Sequence, residues 1–365
     1  MVLRHSLIDA HGALRHDMSM TRTRFAMFFA ICLLLPAWPV RSEVAQALGP
    51  TPGEIFLAHC AGRGREAAEA GQMTVVGEDG FLFLGAELRH IGKAVFWGKE
   101  AARASEATQP DAVDPLPVLI DFHENLKAEG VRLIFVPVPP KAVIYPDALV
   151  PGSPYDERFD VFHQAFYRHL RAAGVEVLDL TDAFLAARQE EGDPLYCRQD
   201  THWSGRGLRI AAAAIAEAIG DADWRDTESF ESSETTVEIT GDLWSALGDD
   251  ALPRETITLR TVPTENDPES PVLLLGDSHT LVFHSGGDMH ARDAGLPGNL
   301  AKELGRSVET IGVRGSGSTS ARLTLFRRAA RDADYWGRKQ VVVYCMTARD
   351  FTESIDGWRK LPIKP

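Results

Sequence analysis

Five short apolar runs, separated by helix-like segments, constrain the fold of this chain more than any other feature. The first covers residues 132–138 and is rich in β-branched side chains, which is typical of a strand buried on both faces. Four similar runs follow, at residues 175–180, 271–275, 307–311 and 340–344. Helix-like segments precede or separate them, at residues 115–129, 158–173, 205–219, 297–304 and 319–331. This alternation predicts an α/β fold, with helices on both faces of a mostly parallel sheet.

The composition excludes a disordered chain and a membrane protein with several spans. The chain has 365 residues, 44% of them hydrophobic and 25% charged, which suits one large domain or two smaller ones. Its formal net charge is −14. Non-specific nucleic-acid binding depends on neutralising phosphates, so we expect no nucleic-acid partner. An acidic polymer would need a local basic patch on this protein.

The N-terminal segment has the features of an export signal in the right order. Arg22 and Arg24 precede an apolar stretch at residues 25–38, whose length suits a signal peptide and is short for a membrane span. Ala45-Gln46-Ala47 fits a small-residue cleavage site. We therefore expect a periplasmic protein exported by a signal peptide. An uncleaved inner-membrane anchor and a buried helix are the alternatives.

The chain divides into a leader and one folded body. Residues 1–47 are expected to be the signal peptide or an N-terminal anchor with its leader, and residues 48–365 a single domain. Near the start of that domain, Gly80 permits a tight turn before an apolar run that predicts a strand. Residues 221–270 are polar, acidic and rich in Thr and Glu, so we expect an insertion or an irregular segment there.

The cysteines allow one disulfide if the protein is exported. An oxidising compartment permits one bridge among Cys60, Cys197 and Cys345 and leaves one thiol. Cys345 lies in an apolar run and is expected to be a buried thiol. Cys60 and Cys197 are therefore the better pair.

No metal-binding motif occurs in the sequence. C-x-x-C and H-E-x-x-H are absent from it. Histidine and carboxylate side chains crowd one stretch without ligand-like spacing: His279, His284, Asp288 and His290. We predict no metal and no other cofactor.

A Gly-Asp-Ser-His motif at residues 276–279 directly follows the third apolar run. Gly276 lets the chain turn sharply, which places Ser278 at the carboxyl end of a strand, where open parallel sheets bind ligands. The N–H groups of a helix that starts there can stabilise an anion. An ordinary strand-to-helix turn, capped by Ser or Asp, is the alternative. The motif alone is a weak signal.

A second motif, Asp-Thr-His-Trp at residues 200–203, offers the groups that a serine nucleophile needs. A serine hydroxyl needs an adjacent base, and the pKa of a histidine such as His202 suits that role. Asp200 can orient the imidazole through its Nδ1 atom. Alternatively, Asp200 or Ser204 caps the next helix. The two motifs together favour a Ser-His-Asp triad.

Together these motifs resemble the SGNH-hydrolase-like domain of AlgX/AlgJ-type alginate O-acetyltransferases. Ordinary SGNH hydrolases place the nucleophile first and Asp-x-x-His last, whereas here Asp-x-His precedes the serine, as in the AlgX/AlgJ group. Further segments are similar to motifs of that family, at residues 77–84, 136–146, 294–304 and 314–318. The resemblance runs from about residue 55 to about residue 355. It implies a three-layer α/β/α sandwich. AlgX-type proteins add a C-terminal carbohydrate-binding module, so this chain looks closer to the AlgJ-type single-domain arrangement.

The resemblance implies a role for each triad residue. Ser278 would accept an acetyl group as the nucleophile, with His202 as the base and Asp200 as its orienter. The acyl-enzyme would then pass the acetyl group to a sugar hydroxyl of alginate or a similar exopolysaccharide. A membrane-bound O-acyltransferase would supply the acetyl group, and other proteins of an export complex are expected partners.

The resemblance also implies residues around the triad. The backbone N–H groups of Ser278 and Gly315 would form an oxyanion hole, and Arg349 would bind a uronate carboxylate or the oxyanion. Lys141 and Tyr145 would line the same groove. A turn glycine, a surface ion pair, a solvated lysine and a half-buried tyrosine are the respective alternatives.

Two other functions remain open on the sequence. A secreted carbohydrate esterase uses the same triad, with water in place of the sugar hydroxyl. A non-catalytic polysaccharide-binding scaffold of an export complex would not need Ser278 at all.

Overall fold

The computed structural model of the protein describes residues 50–365. The expected signal peptide or anchor, residues 1–47, lies outside this range. None of the helices described is long and apolar enough to span a membrane. Within the described range, Thr51–Pro365 forms one compact unit.

Five parallel strands form the central sheet of the described body. The strands described in residues 50–365, inside and outside this sheet, are β1 (Thr74–Val76), β2 (Leu82–Leu84), β3 (Arg132–Val138), β4 (Glu176–Val177), β5 (Ser233–Ile239), β6 (Glu255–Thr261), β7 (Val272–Gly276), β8 (Glu309–Gly312) and β9 (Val341–Thr347). The central sheet has the order β4-β3-β9-β7-β8, and each neighbouring pair is parallel. Each of the five apolar runs supplies one of these strands, which confirms the predicted parallel sheet. β4 is shorter than predicted because it pairs with β3 at only two positions.

Helices cover the sheet on both sides. The described helices are Pro52–Glu69, Gly85–Gly92, Ala101–Ala104, Pro115–Ala128, Lys141–Ile144, Pro146–Leu149, Val161–Ala172, Thr181–Arg188, Gly205–Ile219, Asp242–Leu247, Ser278–Leu281, Leu296–Leu304, Thr319–Ala329, Tyr335–Arg338 and Asp350–Glu353. Single 3₁₀ turns lie at Gly98–Glu100, Pro110–Ala112 and Gly287–Met289. All five predicted helices are among them, with ends that differ by a few residues.

The strand pleat divides the core into two layers. Ile134 and Val136 of β3 face the helices Gly205–Ile219 and Leu296–Leu304. Their neighbours Leu133 and Phe135 face the opposite layer, with the helices Pro115–Ala128, Val161–Ala172 and Thr319–Ala329. Each fully buried side chain of this kind stabilises the fold by about 1.5–3 kcal/mol. The predicted α/β/α sandwich is therefore confirmed.

Two segments precede the central sheet along the chain. The helix Pro52–Glu69 starts at a capping box, in which Thr51 and Glu54 satisfy each other's backbone N–H groups. The predicted turn at Gly80 has a φ of 77° and joins β1 to β2 in an antiparallel hairpin. The turn and the strand after it are thus as expected.

The segment 221–270 is more regular than we expected. β5 and β6 form an antiparallel pair over seven positions, with the helix Asp242–Leu247 between them. Its many Thr residues suggested an exposed, irregular segment because their hydroxyls are polar, but β-branched side chains also favour strands. The segment is therefore not irregular throughout, and its helix brings Asp242 to the site described below. Whether the segment is an insertion stays a prediction.

The expected disulfide between Cys60 and Cys197 is not formed. Cys60, Cys197 and Cys345 are all free and buried. The Cys197 thiol donates to the Trp203 carbonyl at 3.6 Å, within its own loop. Cys60 lies on the buried face of the first helix. Burial also raises the pKa of the Cys197 thiol well above its usual value, so the thiol form is favoured.

Candidate active site

Ser278 stands at the carboxyl end of β7, at the start of the four-residue helix Ser278–Leu281. The turn before it is tight, because a Cβ on Gly276 would overlap the carbonyl oxygen of Cys345 in the neighbouring strand β9. Only glycine fits there. The Ser278 side chain is 6% exposed. The sequence therefore places this hydroxyl in a fixed, sheltered position at the functional edge of the sheet.

Asp277 ties this turn to β9. Its Oδ1 accepts from the His279 N–H at 2.8 Å, and its Oδ2 accepts from the Thr347 N–H at 2.7 Å. Burial by itself would raise the pKa of Asp277, but His279, Arg349 and the Thr347 amide outweigh it and lower the pKa to about 2. Asp277 is therefore an ionised anchor, and its hydrogen bonds hold Ser278 against the sheet.

His202 lies within hydrogen-bond distance of both Ser278 and Asp200. Its Nε2 is 2.8 Å from Ser278 Oγ, and its Nδ1 is 2.6 Å from Asp200 Oδ1. The motif forms the tip of a short loop closed by a β-bridge between Tyr196 and Trp203. The structure thus brings Ser278 into contact with His202, which lies 76 positions earlier in the sequence. Such an arrangement can move a proton from a serine hydroxyl to a histidine.

The electrostatics of the site favour a charged aspartate beside the imidazole. Burial alone would lower the pKa of His202, but the Asp200 and Asp242 carboxylates outweigh it and raise the pKa above its usual value. Burial would raise the pKa of Asp200, yet its bonds to His202 and His290 hold that pKa well below the usual range. A charged Asp200 therefore stabilises an imidazolium at His202.

The buried ring of His279 packs against the ring of His202. The two rings are 4.7 Å apart, and the His279 ring meets Trp203 edge-on at 5.3 Å. Burial lowers the pKa of His279 to about 4, so this ring is neutral at neutral pH. It packs against the imidazole of His202 without adding a competing charge.

Lys141 is buried beneath the loop instead of lining a groove. Its Nζ donates to the carbonyl oxygens of Leu82, Arg198 and Asp200 at 2.7, 2.9 and 3.1 Å. The side chain is 1% exposed. All three ammonium hydrogens are thus used, and the expectation of a substrate-facing lysine is wrong. Lys141 instead braces the backbone that carries Asp200.

Tyr145 is likewise a packing residue. It is 7% exposed, and its hydroxyl accepts from the Leu195 N–H at 2.7 Å. The Arg188 guanidinium lies over its ring at 4.5 Å. The groove position expected for Tyr145 is therefore corrected: its ring and its hydroxyl are both engaged inside the protein.

Arg349 follows β9, and its charge lowers the pKa values of the buried Glu87 and Asp350 carboxyls without an ion pair to either. No carboxylate oxygen of residues 50–365 lies within 4.0 Å of its guanidinium nitrogens, and its one side-chain hydrogen bond goes to Thr347 Oγ1 at 3.3 Å. Its charge lowers the pKa values of His202 and Asp277. A cation of this kind at a sheet edge is suited to an anionic ligand.

The loop after β8 holds the expected oxyanion residue Gly315. Its φ of 82° accounts for glycine at this position, and a Cβ would meet open space. Gly317 approaches the nucleophile turn more closely, since a Cβ there would lie 3.2 Å from that of Asp277. The Gly317 N–H is already bonded to Asp350 at 2.7 Å. A role for the Gly315 N–H remains a prediction.

Two residues of the site were not predicted from the sequence. Asp242 donates its backbone N–H to Asp200 Oδ2 at 3.0 Å, and His290 Nε2 lies 2.9 Å from the same oxygen. Asp242 sits in the segment expected to be irregular, which hid its role. His290 belongs to the stretch at residues 279–290 in which histidine and carboxylate side chains crowd together without the spacing of metal ligands. The crowding was visible in the sequence, but it did not indicate a contact with Asp200.

Asp200, His202 and Asp242 each offer a possible ligand atom, and these atoms lie within 4.8 Å of one another. The carboxylate of Asp242, however, accepts from the Thr201 N–H at 2.8 Å and the Thr201 hydroxyl at 2.7 Å. Both oxygens of Asp200 are also occupied by protein donors. The cluster is a hydrogen-bond network and not a set of free ligands.

The fold and these distances define a class: α/β proteins of SGNH-hydrolase-like architecture, with serine, histidine and aspartate at the carboxyl edge of a parallel sheet. Comparison with known families narrows this class. The family described as SGNH hydrolase-like domain, acetyltransferase AlgX, matches residues 74–343. The chain belongs to this family, and the resemblance predicted from its motifs is confirmed.

Individual relatives agree with this assignment. The probable alginate O-acetylase AlgJ of Pseudomonas syringae pv. tomato is 26% identical over 284 residues, which is 70% of each chain. AlgJ of Pseudomonas aeruginosa is 29% identical over 208 residues, or 54% of this chain and 48% of that protein. The chain therefore spans about half the length of some curated relatives that it matches.

Two solved structures share the fold. The O-acetyltransferase domain of Pseudomonas putida AlgJ has a TM-score of 0.56 at 23% identity, covering 77% of this chain and 92% of that one. Pseudomonas aeruginosa AlgX has a TM-score of 0.52 at 18% identity, covering 75% of this chain and 62% of that one. The predicted SGNH-hydrolase-like α/β fold is confirmed.

Proposed function

We propose that this protein is an exported O-acetyltransferase that moves an acetyl group through Ser278 onto hydroxyls of a polysaccharide. One observation carries the proposal: Ser278 Oγ, His202 and Asp200 form an unbroken line of hydrogen bonds of 2.8 and 2.6 Å. Relatives named as alginate O-acetylases make alginate, or a similar exopolysaccharide, the first acceptor to test.

The reaction has two halves that share one base. His202 Nε2 takes the proton of Ser278 Oγ as that oxygen attacks the acetyl carbonyl carbon, and the leaving group departs with the proton. A sugar hydroxyl then attacks the acetyl-serine and gives its proton to His202. The sugar ester leaves, and the proton returns to Ser278. Asp200 stabilises the imidazolium in both halves.

The negative oxygen formed in each half needs hydrogen-bond donors. The backbone N–H of Ser278 has no acceptor among residues 50–365, so it is free to donate to that oxygen. We propose the Gly315 N–H as the second donor. Removing one such donor typically costs about 10²- to 10³-fold in rate.

The proposed partners follow from the family and from the N-terminal segment. A membrane-bound O-acyltransferase would supply the acetyl group, and other proteins of an export complex would present the polymer. A periplasmic location, reached through the export signal expected at residues 1–47, would bring the protein to such partners.

A two-stage labelling experiment tests the proposed function. The exported domain is incubated with p-nitrophenyl acetate, and peptide mass mapping is expected to find one acetyl group on Ser278. Uronate oligosaccharide is then added, and the acetyl group is expected to move to the sugar. Acetate release without acetylated sugar would favour the esterase, and no labelled Ser278 would count against both enzymes.

Replacing Arg349 by methionine is expected to raise the KM for uronate acceptors by about 10- to 100-fold. A charge-assisted hydrogen bond to a carboxylate has this magnitude, and Arg349 has no carboxylate partner of its own among the described residues. Initial rates would be measured with uronate and with neutral oligosaccharides of equal length.

Arg314→Met is the matched control, because the Arg314 guanidinium is ion-paired with Asp288 at 2.6 Å. It is expected to leave both acceptors nearly unaffected. An equal loss of uronate and neutral acceptors in Arg349→Met would show that Arg349 does not select the carboxylate.

A further inference from the structure

A second histidine, His290, contacts the carboxylate oxygen of Asp200 that does not face His202. His290 Nε2 lies 2.9 Å from Asp200 Oδ2, whereas His202 Nδ1 lies 2.6 Å from Asp200 Oδ1. Asp200 is 1% exposed. The carboxylate is thus held between two imidazole rings, only one of which touches the serine.

The hydrogen bonds to Asp200 account for all of its acceptor capacity. Oδ1 accepts from the backbone N–H and the Nδ1 of His202, and Oδ2 accepts from the Asp242 N–H and from His290. An ionised carboxylate offers about four lone-pair sites. His290 therefore supplies one of four bonds, and it is the only side chain besides His202 among these donors.

The backbone at His290 is strained in a way that points to a role. His290 has a φ of 66° and a ψ of −50°, and the Ala291 N–H bonds to the Met289 carbonyl at 2.8 Å across it. These are the marks of a classic γ-turn, a rare and strained conformation. Strain of this kind clusters at functional sites.

A small closed loop holds the ring in place. A β-bridge joins Ser285 to Arg292, and the Gly286 N–H bonds to the Ala291 carbonyl at 2.8 Å. The ring also packs 5.8 Å from that of Phe283. His290 also lines a cavity of about 570 Å³ that reaches His202. The loop thus delivers one imidazole to Asp200 from outside the motifs that carry the triad.

We propose that His290 is a positioning residue of this site: it holds Asp200 from the side opposite His202 and so sets how strongly His202 binds a proton. The kinetic part of this proposal rests on the proposed function, whereas the effect on His202 does not. Because His290 does not reach Ser278, it acts through Asp200 alone.

The sign of the effect follows from the charges. Removing the His290 N–H leaves more negative charge on the carboxylate that faces His202, which favours the imidazolium. Lys141, Asp242, His279, Asp277 and Arg349 are other titratable or charged groups near the pair. Glu238 and Asp288 lie at the cavity wall, where Asp288 is paired with Arg314.

The proposal can be tested without an activity assay, by measuring the pKa of His202 in an NMR titration of the exported domain with labelled histidine. We expect the pKa of His202 in His290→Ala to exceed the wild-type value by about one unit. His290→Gln keeps an N–H donor and is expected to stay near wild type. Asp288→Asn, on the same loop, is the control: it removes a charge without touching Asp200, so a small shift in the opposite direction is expected.

The outcomes separate a positioning role from a structural one. An unchanged His202 pKa in a folded His290→Ala variant would overturn the proposal, as would equal shifts in the Ala and Gln variants. If wild type transfers acetyl groups, the acidic limb of the kcat–pH profile should move with that pKa, and kcat should fall because Asp200 is held less firmly. A rise in the acceptor KM alone would make His290 a binding residue instead. If wild type transfers none, the proposed function fails and the titration still decides on His290.

Discussion

Ser278→Ala is expected to lower the rate of acetyl transfer to a sugar acceptor by about 10⁴- to 10⁶-fold while the fold is retained. The Ser278 hydroxyl is the group within 2.8 Å of His202 Nε2, so its removal leaves the base without a nucleophile to activate. The loss should appear in kcat, since the backbone and the cavity beside His202 stay in place. Transfer would be measured as acetylated oligosaccharide, with circular dichroism as the check on folding.

Ser245→Ala is the matched control for this prediction. Ser245 lines the same cavity as His202 but is exposed, and among the described residues its hydroxyl donates no hydrogen bond to the triad. Its loss should leave the rate nearly unchanged. Residual transfer above a tenth of the wild-type rate in Ser278→Ala would mean that another group carries the acetyl. The buried thiols are poor candidates, because burial raises the pKa values of Cys197 and Cys345 well above the usual range.

The pH dependence of the same reaction tests whether His202 acts as the base. His202 serves as a base only when neutral, and the Asp200 carboxylate raises its pKa above 6.5. The rate should therefore rise with pH through a value above 6.5. Burial and the charge of Arg349 both oppose this increase in the pKa of His202.

The sheet was predictable because its strands are buried on both faces. Such strands are short apolar runs in the sequence. β3, β7 and β9 could therefore be predicted without knowing which strands they pair with. Their order in the sheet came only with the structure, because β9 enters between β3 and β7 after the rest of the chain. The hairpin of β5 and β6 was missed since its exposed faces carry polar side chains.

Asp200, His202 and Ser278 could be identified as candidate site residues because each lies in a local motif with its own chemical reason. Asp200 and His202 are two positions apart, and Ser278 follows a strand, so the type of group and its surroundings were both visible. Asp242 and His290 were not, because their roles depend on tertiary contacts to one carboxylate oxygen. Lys141 and Tyr145 were placed in the groove because they follow β3, whereas the fold turns both inward.

Lys141→Met is expected to destabilise the protein by about 3 kcal/mol and to lower kcat by about 100-fold. Three carbonyl oxygens lose their donor, and each costs about 1–3 kcal/mol when left without a partner. Burial already lowers the pKa of Lys141 to about 8, so removing the charge recovers part of that loss. The rate falls because the Asp200 backbone is released, and a misplacement of about 1 Å can cost about 100-fold.

Lys339→Met separates the two effects of Lys141→Met. Lys339 is equally buried, and its Nζ donates to the carbonyl oxygens of Pro268 and Ser270 and pairs with Glu309 at 2.7 Å. It lies before β9, at the edge of the sheet away from Ser278. Its loss should therefore lower the thermal midpoint by a similar amount and leave kcat unchanged. A Lys141→Met variant that melts earlier but keeps the wild-type kcat would reduce Lys141 to a stability residue, because the Asp200 loop would then hold its geometry without the ammonium beneath it.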